Sequence, residues 1–117
     1  MHELSLCQAI VAQVERLVAA HQARGVSRIE VQVGPLAGVE AHLLRQAFPL
    51  AAAGTGAAQA ELVLTALPVK VHCRVCGADS EVSVNRLLCG HCGAWQTTVL
   101  SGDELLLARV ELLMSSS

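Results

Sequence analysis

The chain predicts an α+β fold: two helices on a small three-stranded sheet, with an inserted four-cysteine, zinc-ribbon-like unit. Three observations carry this. Apolar residues recur at steps of three and four near the start, alternate with polar ones over residues 28–33, and fill two later strand-length stretches, the last with imperfect alternation. Of the 117 residues, 53% are hydrophobic, enough to bury a core in one small domain. Two CxxC pairs sit together in the second half of the chain.

Leu4, Cys7, Ile10, Val11, Val14, Leu17, Val18 and His21 form the apolar stripe of a helix over residues 4–24. Gly25 is its natural stop. Residues 28–33 alternate and read as a half-buried strand that Gly34-Pro35 ends. Residues 40–53 read as a second helix with Leu43, Leu44, Ala47, Phe48 and Ala51 on one face. Pro49 should bend it or cut it short. The small-residue run over 51–58 reads as a loop, and 61–67 as a strand ended by Pro68. Residues 69–100 form the cysteine unit, 104–112 a last strand, and the closing Ser-Ser-Ser a disordered tail.

Formal charge is -2 with acids and bases interspersed. That lacks the basic footprint of a nucleic-acid binder. No run is long enough to span a bilayer, and the start has no signal-peptide pattern, so the cytoplasm is expected. In that compartment cysteines indicate metal or redox chemistry rather than disulfides.

Cys73-x-x-Cys76 and Cys89-x-x-Cys92 can converge four thiolates on a tetrahedron. Gly77 and Gly93 follow the pairs and permit the tight turn that aims amides at sulfur. Four sulfurs leave no open position, so the reading is a structural zinc, with rubredoxin-like iron as the chemical alternative. The unit has few apolar side chains to bury: Val71, Val82, Val84, Leu87, Leu88 and Trp95. His72 and His91 flank the ligands, read first as solvated neighbours or as hydrogen-bond donors around the ligands, and second as pH-sensitive or substitute ligands.

The opening Met-His-Glu raises a second site. An α-amine, the His2 amide nitrogen and the His2 imidazole can close fused chelate rings on one ion, and nitrogen donors in a plane suit Ni(II) or Cu(II). The plain reading of the same residues is Glu3 as a first-turn acid and Ser5 as a cap. Cys7, one turn beyond Glu3, reads as a small packed hydrophobe. His21 reads as partly buried structure, and His42 as an exposed helix residue.

Met-His-Glu-Leu-Ser-Leu at the start, residues 34–40 (GPLAGVE), Gly54-Thr55 with Ala60-Glu61-Leu62, the paired CxxC knuckles and residues 102–106 (GDELL) occur in order. In these the chain resembles the HypA family of hydrogenase nickel-incorporation proteins, with its HybF relatives, over nearly its whole length. The resemblance implies a nickel metallochaperone and no enzyme. Residues 1–68, completed by 101–117, would form the nickel-binding domain, and 69–100 the zinc-binding domain. Nickel would bind transiently through Met1 and His2 with Glu3 adjacent, and Glu40 would lie near and assist. Zinc would be held by Cys73, Cys76, Cys89 and Cys92. Partners would be the GTPase HypB and the [NiFe]-hydrogenase large-subunit precursor, with no nucleic acid and no membrane, for a monomer or weak homodimer. A zinc-ribbon module that binds a protein or nucleic-acid partner is the competing reading.

Overall fold

The computed structural model describes residues 2–114. The elements are α1 (His2–Ala20), β1 (Gly25–Val33), α2 (Ala41–Ala52), β2 (Glu61–Ala66), β3 (Val69–Cys73), β4 (Asp79–Val82), β5 (Thr97–Ser101) and β6 (Leu105–Leu113). They form two three-stranded sheets, in the orders β2-β1-β6 and β4-β3-β5. The expected α+β class holds, and the cysteine unit carries a sheet of its own. The chain folds as two compact units, one drawn from Met1–Val31, Glu40–Leu64 and Leu107–Ser117, the other from Gln32–Val39 and Thr65–Leu106. The expected tail of serines lies outside the described residues.

In the first unit, the middle of the expected stripe is what α1 buries: Cys7, Ile10, Val11 and Val14. In its last turn Leu17 and Val18 are half-buried and Ala19 and Ala20 exposed, and His21 beyond them is exposed, contrary to the sequence reading. The helix also stops earlier than Gly25. Gln22 adopts a left-handed φ of 52°, and the amides of Ala23 and Gln22 donate to the carbonyls of Val18 and Ala19. This is the paired-bond C-terminal cap usually built on glycine. Gly25 instead opens β1, which buries Val26, Ile29 and Val31.

The second helix runs through Pro49 to Ala52 rather than ending at the proline. Proline removes one amide donor, and only three residues of helix follow it, so the loss falls in the last turn. Ala53 then donates to the Pro49 carbonyl. The buried stripe is Leu44, Phe48 and Ala52, spaced by four. Leu43 is 36% exposed, so the face lies to one side of the one expected.

In the second unit, β3 is central and antiparallel to both neighbours, with Val71 opposite Ser80 on β4 and Val99 on β5. Alternation along β3 buries Val69, Val71 and Cys73 on one face. Trp95 is not part of this core, being 70% exposed, and Val84 is exposed too.

Gly34 shows why the turn after β1 cannot carry a side chain. Its amide donates to the Glu104 carbonyl, and a Cβ there would lie 2.2 Å from the Gly102 carbonyl oxygen. Neither backbone can yield cheaply. Gly34→Ala is therefore expected to destabilise the protein by about 3 kcal/mol, the range of overpacking in a close-packed site, read as a lowered midpoint in chemical denaturation.

Candidate metal centres

The two knuckles are built alike, residue for residue. In each, the first cysteine is followed by two residues, the second cysteine, Gly and Ala. Cys73 N–H donates to Ala78 O and Cys89 N–H to Ala94 O, both at 2.9 Å. Gly77 and Gly93 donate back to the carbonyls of Cys73 and Cys89, both at 3.0 Å. Their φ values are 78° and 76°, the left-handed region that glycine enters freely. This turn aims amides at sulfur. Val75 and Cys76 donate to Cys73 Sγ, both at 3.3 Å, and His91 and Cys92 donate to Cys89 Sγ at 3.3 and 3.4 Å.

The second unit brings the knuckles together. Cys73 ends β3, and Arg74 N–H donates to Gln96 O just before β5. Ser80 Oγ on β4 accepts the Gly90 amide at 3.0 Å, which ties the second knuckle to the sheet. All four Sγ atoms then lie within 4.8 Å of one another, with Cys73–Cys92 and Cys76–Cys89 each at 3.6 Å. Among the described residues this is the cluster of four cysteines that can hold a metal ion.

Amides aimed at sulfur favour the thiolate. The Cys92 and His91 amides hold the Cys89 thiol down to about 6, and those of Cys76 and Val75 lower Cys73. The Ala78 amide acts the same way on Cys76, but the Cys89 thiol and burial outweigh it and push Cys76 up to about 12. Four sulfurs this close do not all ionise unaided, because like charges repel. A dication among them removes that conflict, so the donor set, spacing and amide cage fit a thiolate-bound Zn(II).

His72 is not merely solvated. Its Nδ1 lies 2.7 Å from Asp79 Oδ1, across the β3–β4 ladder where the two residues are register partners. Spacing alone could not reveal that pair. His91 is exposed, and its amide rather than its ring faces the sulfur.

The other candidate site from the sequence lies where α1 begins. Met1 falls outside the described residues. His2 is 62% exposed, and its Nδ1 is 3.9 Å from Glu3 Oε2. The carboxyl of Glu3 is held below its ordinary range, first by its own backbone amide and also by the Glu40 amide. Ser5 lies within the first turns of α1, not at a cap.

The site also depends on how α1 meets α2. Cys7 Sγ donates to the Leu44 carbonyl at 3.4 Å, and one turn earlier on both helices Glu3 meets the amide of Glu40. Equal steps on the two helices mean that they run in the same direction, so both N-termini lie at one end. Cys7 itself is buried, and burial, then the Glu3 charge, pushes its thiol up. It packs as a small hydrophobe, as expected. An open groove lined by Glu3, Leu4, Leu43, Gln46, Ala47 and Leu50 borders the same end.

Glu40 is the N-cap residue of α2, with φ −93° and ψ 119°, but its side chain makes no capping hydrogen bond. Its Oε2 instead lies 3.6 Å from His42 Nε2. His42 is exposed, as the sequence reading had it. No helix among the described residues is long and apolar enough to cross a membrane.

Comparison with known proteins agrees with this geometry. Residues 1–112 match the family profile described as hydrogenase/urease nickel incorporation, metallochaperone, hypA. The hydrogenase maturation factor HypA of Nitrosospira multiformis is 44% identical over 113 residues, covering 97% of this chain and 98% of that protein. The HypA of Aquifex aeolicus is 37% identical over 112 residues, covering 96% and 97%. The fold matches the solution structure of the Ni metallochaperone HypA from Helicobacter pylori, with a TM-score of 0.75 at 21% identity and coverage of 97% and 98%. A family profile matched over nearly the whole chain, and relatives aligned end to end, place this protein in the HypA family of hydrogenase/urease nickel-incorporation metallochaperones.

Proposed function

We propose that this chain carries Ni(II) at its amino terminus and delivers it for maturation of a [NiFe]-hydrogenase, with zinc on Cys73, Cys76, Cys89 and Cys92 as structural support. The observation that carries the reading is His2, exposed and beside Glu3, at an end where two helix N-termini meet. The Met1 amine, the His2 amide nitrogen and His2 Nδ1 supply in-plane nitrogens, and Glu3 and Glu40 supply negative charge nearby.

A delivery protein must release its ion. Exposed donors at a chain end allow another protein's ligands to attack the nickel while it is still partly held. The closed sulfur cage has the opposite character, because a thiolate tetrahedron leaves no position for an incoming ligand. The two centres thus divide the work: one exchanges its ion and the other keeps it. The GTPase HypB and the hydrogenase large-subunit precursor are the protein partners in this reading, and the exchange takes place in the cytoplasm.

Nickel titration of zinc-loaded protein with a native amino terminus tests the proposal. One equivalent should bind with a planar, diamagnetic spectrum. His2→Ala should weaken that uptake by at least about a hundredfold, more than is lost when only a supporting group around a metal is removed. Equal uptake by both proteins would defeat the terminal site.

A further inference from the structure

Strand β6 lies at the edge of its sheet, and among the described residues no strand pairs with its outer side. At nine residues it is long for an edge, and it carries neither proline nor lysine, the usual protections against pairing with another chain. Its backbone shows which groups are open. The Arg24 amide donates to the Leu113 carbonyl and the Ser27 hydroxyl to the Glu111 carbonyl, so residues 111 and 113 turn their backbone toward β1. Alternate residues of a strand turn opposite ways, which aims the amides and carbonyls of Ala108, Val110 and Leu112 outward. The charged side chains on β6 are Arg109 and Glu111, 66% and 40% exposed, with Arg109 Nε 3.7 Å from Glu111 Oε2. An open groove along the same strand is lined by Leu17, His21, Ala108, Val110 and Leu112 among others.

We propose that β6 is a self-association edge, pairing antiparallel with β6 of a second copy of this chain about a two-fold axis at Val110. That centre satisfies backbone and charge together. It sets Val110 opposite Val110 and Ala108 opposite Leu112, so the outward amides and carbonyls meet in about six hydrogen bonds. It sets Arg109 opposite Glu111 at the positions between those bonds, where side chains of an antiparallel pair come closest. Other centres keep the backbone bonds but lose the charge match. An axis at Ala108 would set Arg109 opposite Leu107 and Glu111 opposite Leu105, and an axis at Leu112 would set Glu111 opposite Leu113. On the other face, Ala108 against Leu112 sets a small side chain opposite a large one, beside the Leu17 and His21 groove. The joined sheet runs β2-β1-β6-β6-β1-β2 and leaves no open β6 edge. Every contact occurs twice across the axis, as in any two-fold interface. One strand edge buries less area than a permanent dimer needs, so the association is weak and concentration-dependent.

Analytical ultracentrifugation of the full, zinc-loaded chain from about 10 µM to about 1 mM tests this. The native protein should pass from monomer toward dimer in that range. Arg109→Glu sets only like charges across the axis and should weaken the dimer at least about tenfold, and Glu111→Arg should do the same. Mixed in equal amounts, the two variants restore opposite charges at both positions and should associate as the native protein does. Circular dichroism and bound zinc check that each variant is folded, as the exposure of both side chains leads one to expect. Hydrogen exchange reads the register independently. The amides of Ala108, Val110 and Leu112 should gain protection as concentration rises, while those of Arg109 and Glu111, turned to β1, should not change. A native chain that stays monomeric to about 1 mM would overturn the proposal and leave this edge to a strand of another protein. A dimer indifferent to Arg109→Glu, or protection that does not alternate along β6, would overturn it equally.

Discussion

Cys73→Ala is expected to unfold the unit formed by Gln32–Val39 and Thr65–Leu106, leaving helix signals from α1 and α2 in place. The reason is the poverty of that unit's core. Apart from cysteines, its buried side chains are Leu67, Val69 and Val71. Full burial of each contributes about 1.5–3 kcal/mol, far short of the conformational entropy of ordering the segment. A structural zinc supplies on the order of 10–16 kcal/mol, and this becomes folding free energy. Cys73 is the costliest cysteine to lose, because it ends β3, is fully buried and anchors the Val75 and Cys76 amides. Its loss also leaves those two amides without their acceptor. The first unit keeps its own core of Cys7, Ile10, Val11, Val14, Leu44 and Phe48. The measurement is an amide NMR spectrum with zinc quantified after dialysis. Collapsed dispersion for residues 69–101 and zinc well below one equivalent are expected. A variant that kept both its zinc and its amide spectrum would refute the four-thiolate centre.

Periodicity made α1 and β1 legible, because each presents a regular apolar rhythm to one core, whereas β2 and β6 were legible from apolar content and length. It failed where a second rule competed. Val69-Lys70-Val71-His72-Cys73 alternates correctly, yet inside a stretch defined by its cysteines it did not read as the centre of a second sheet. The end of α1 was misplaced because Gln22, a residue with a Cβ, takes the left-handed position that glycine normally fills. The expected stripe of α2 took in Leu43, Ala47 and Ala51 beside Leu44 and Phe48, whereas the buried face is the narrower i, i+4 line through Leu44, Phe48 and Ala52. The cysteine cluster was readable because ligand spacing is local. The His72–Asp79 pair needs cross-strand register, and the Glu40–His42 pair beside Glu3 needs the direction of one helix against another. Neither is written in local spacing.

Acetylating the Met1 amine is expected to remove the tight nickel equivalent while leaving fold and zinc untouched. In the proposed chelate the amine is the one donor that binds without first losing an amide proton, and it closes the first fused ring. Acetylation turns it into an amide, whose nitrogen must lose its proton before it can bind, which costs affinity near neutral pH. The His2 and Glu3 side chains, 3.9 Å apart at the start of α1, are left unaltered, so the change isolates the amine. Because a primary donor is lost, affinity should fall by more than about a hundredfold, beyond the 10–100-fold typical of changes around a metal's ligands. The pH profile gives an independent check. In the proposed chelate, nickel displaces protons from the amine and the His2 amide. Affinity should therefore climb steeply from pH 6 to 8 in the native protein, whereas uptake by the acetylated chain should be weak at every pH. Titrations of zinc-loaded protein at several pH values distinguish the two. An acetylated protein that bound nickel as tightly as the native one, with the same slope, would show that the ion is held by side chains alone.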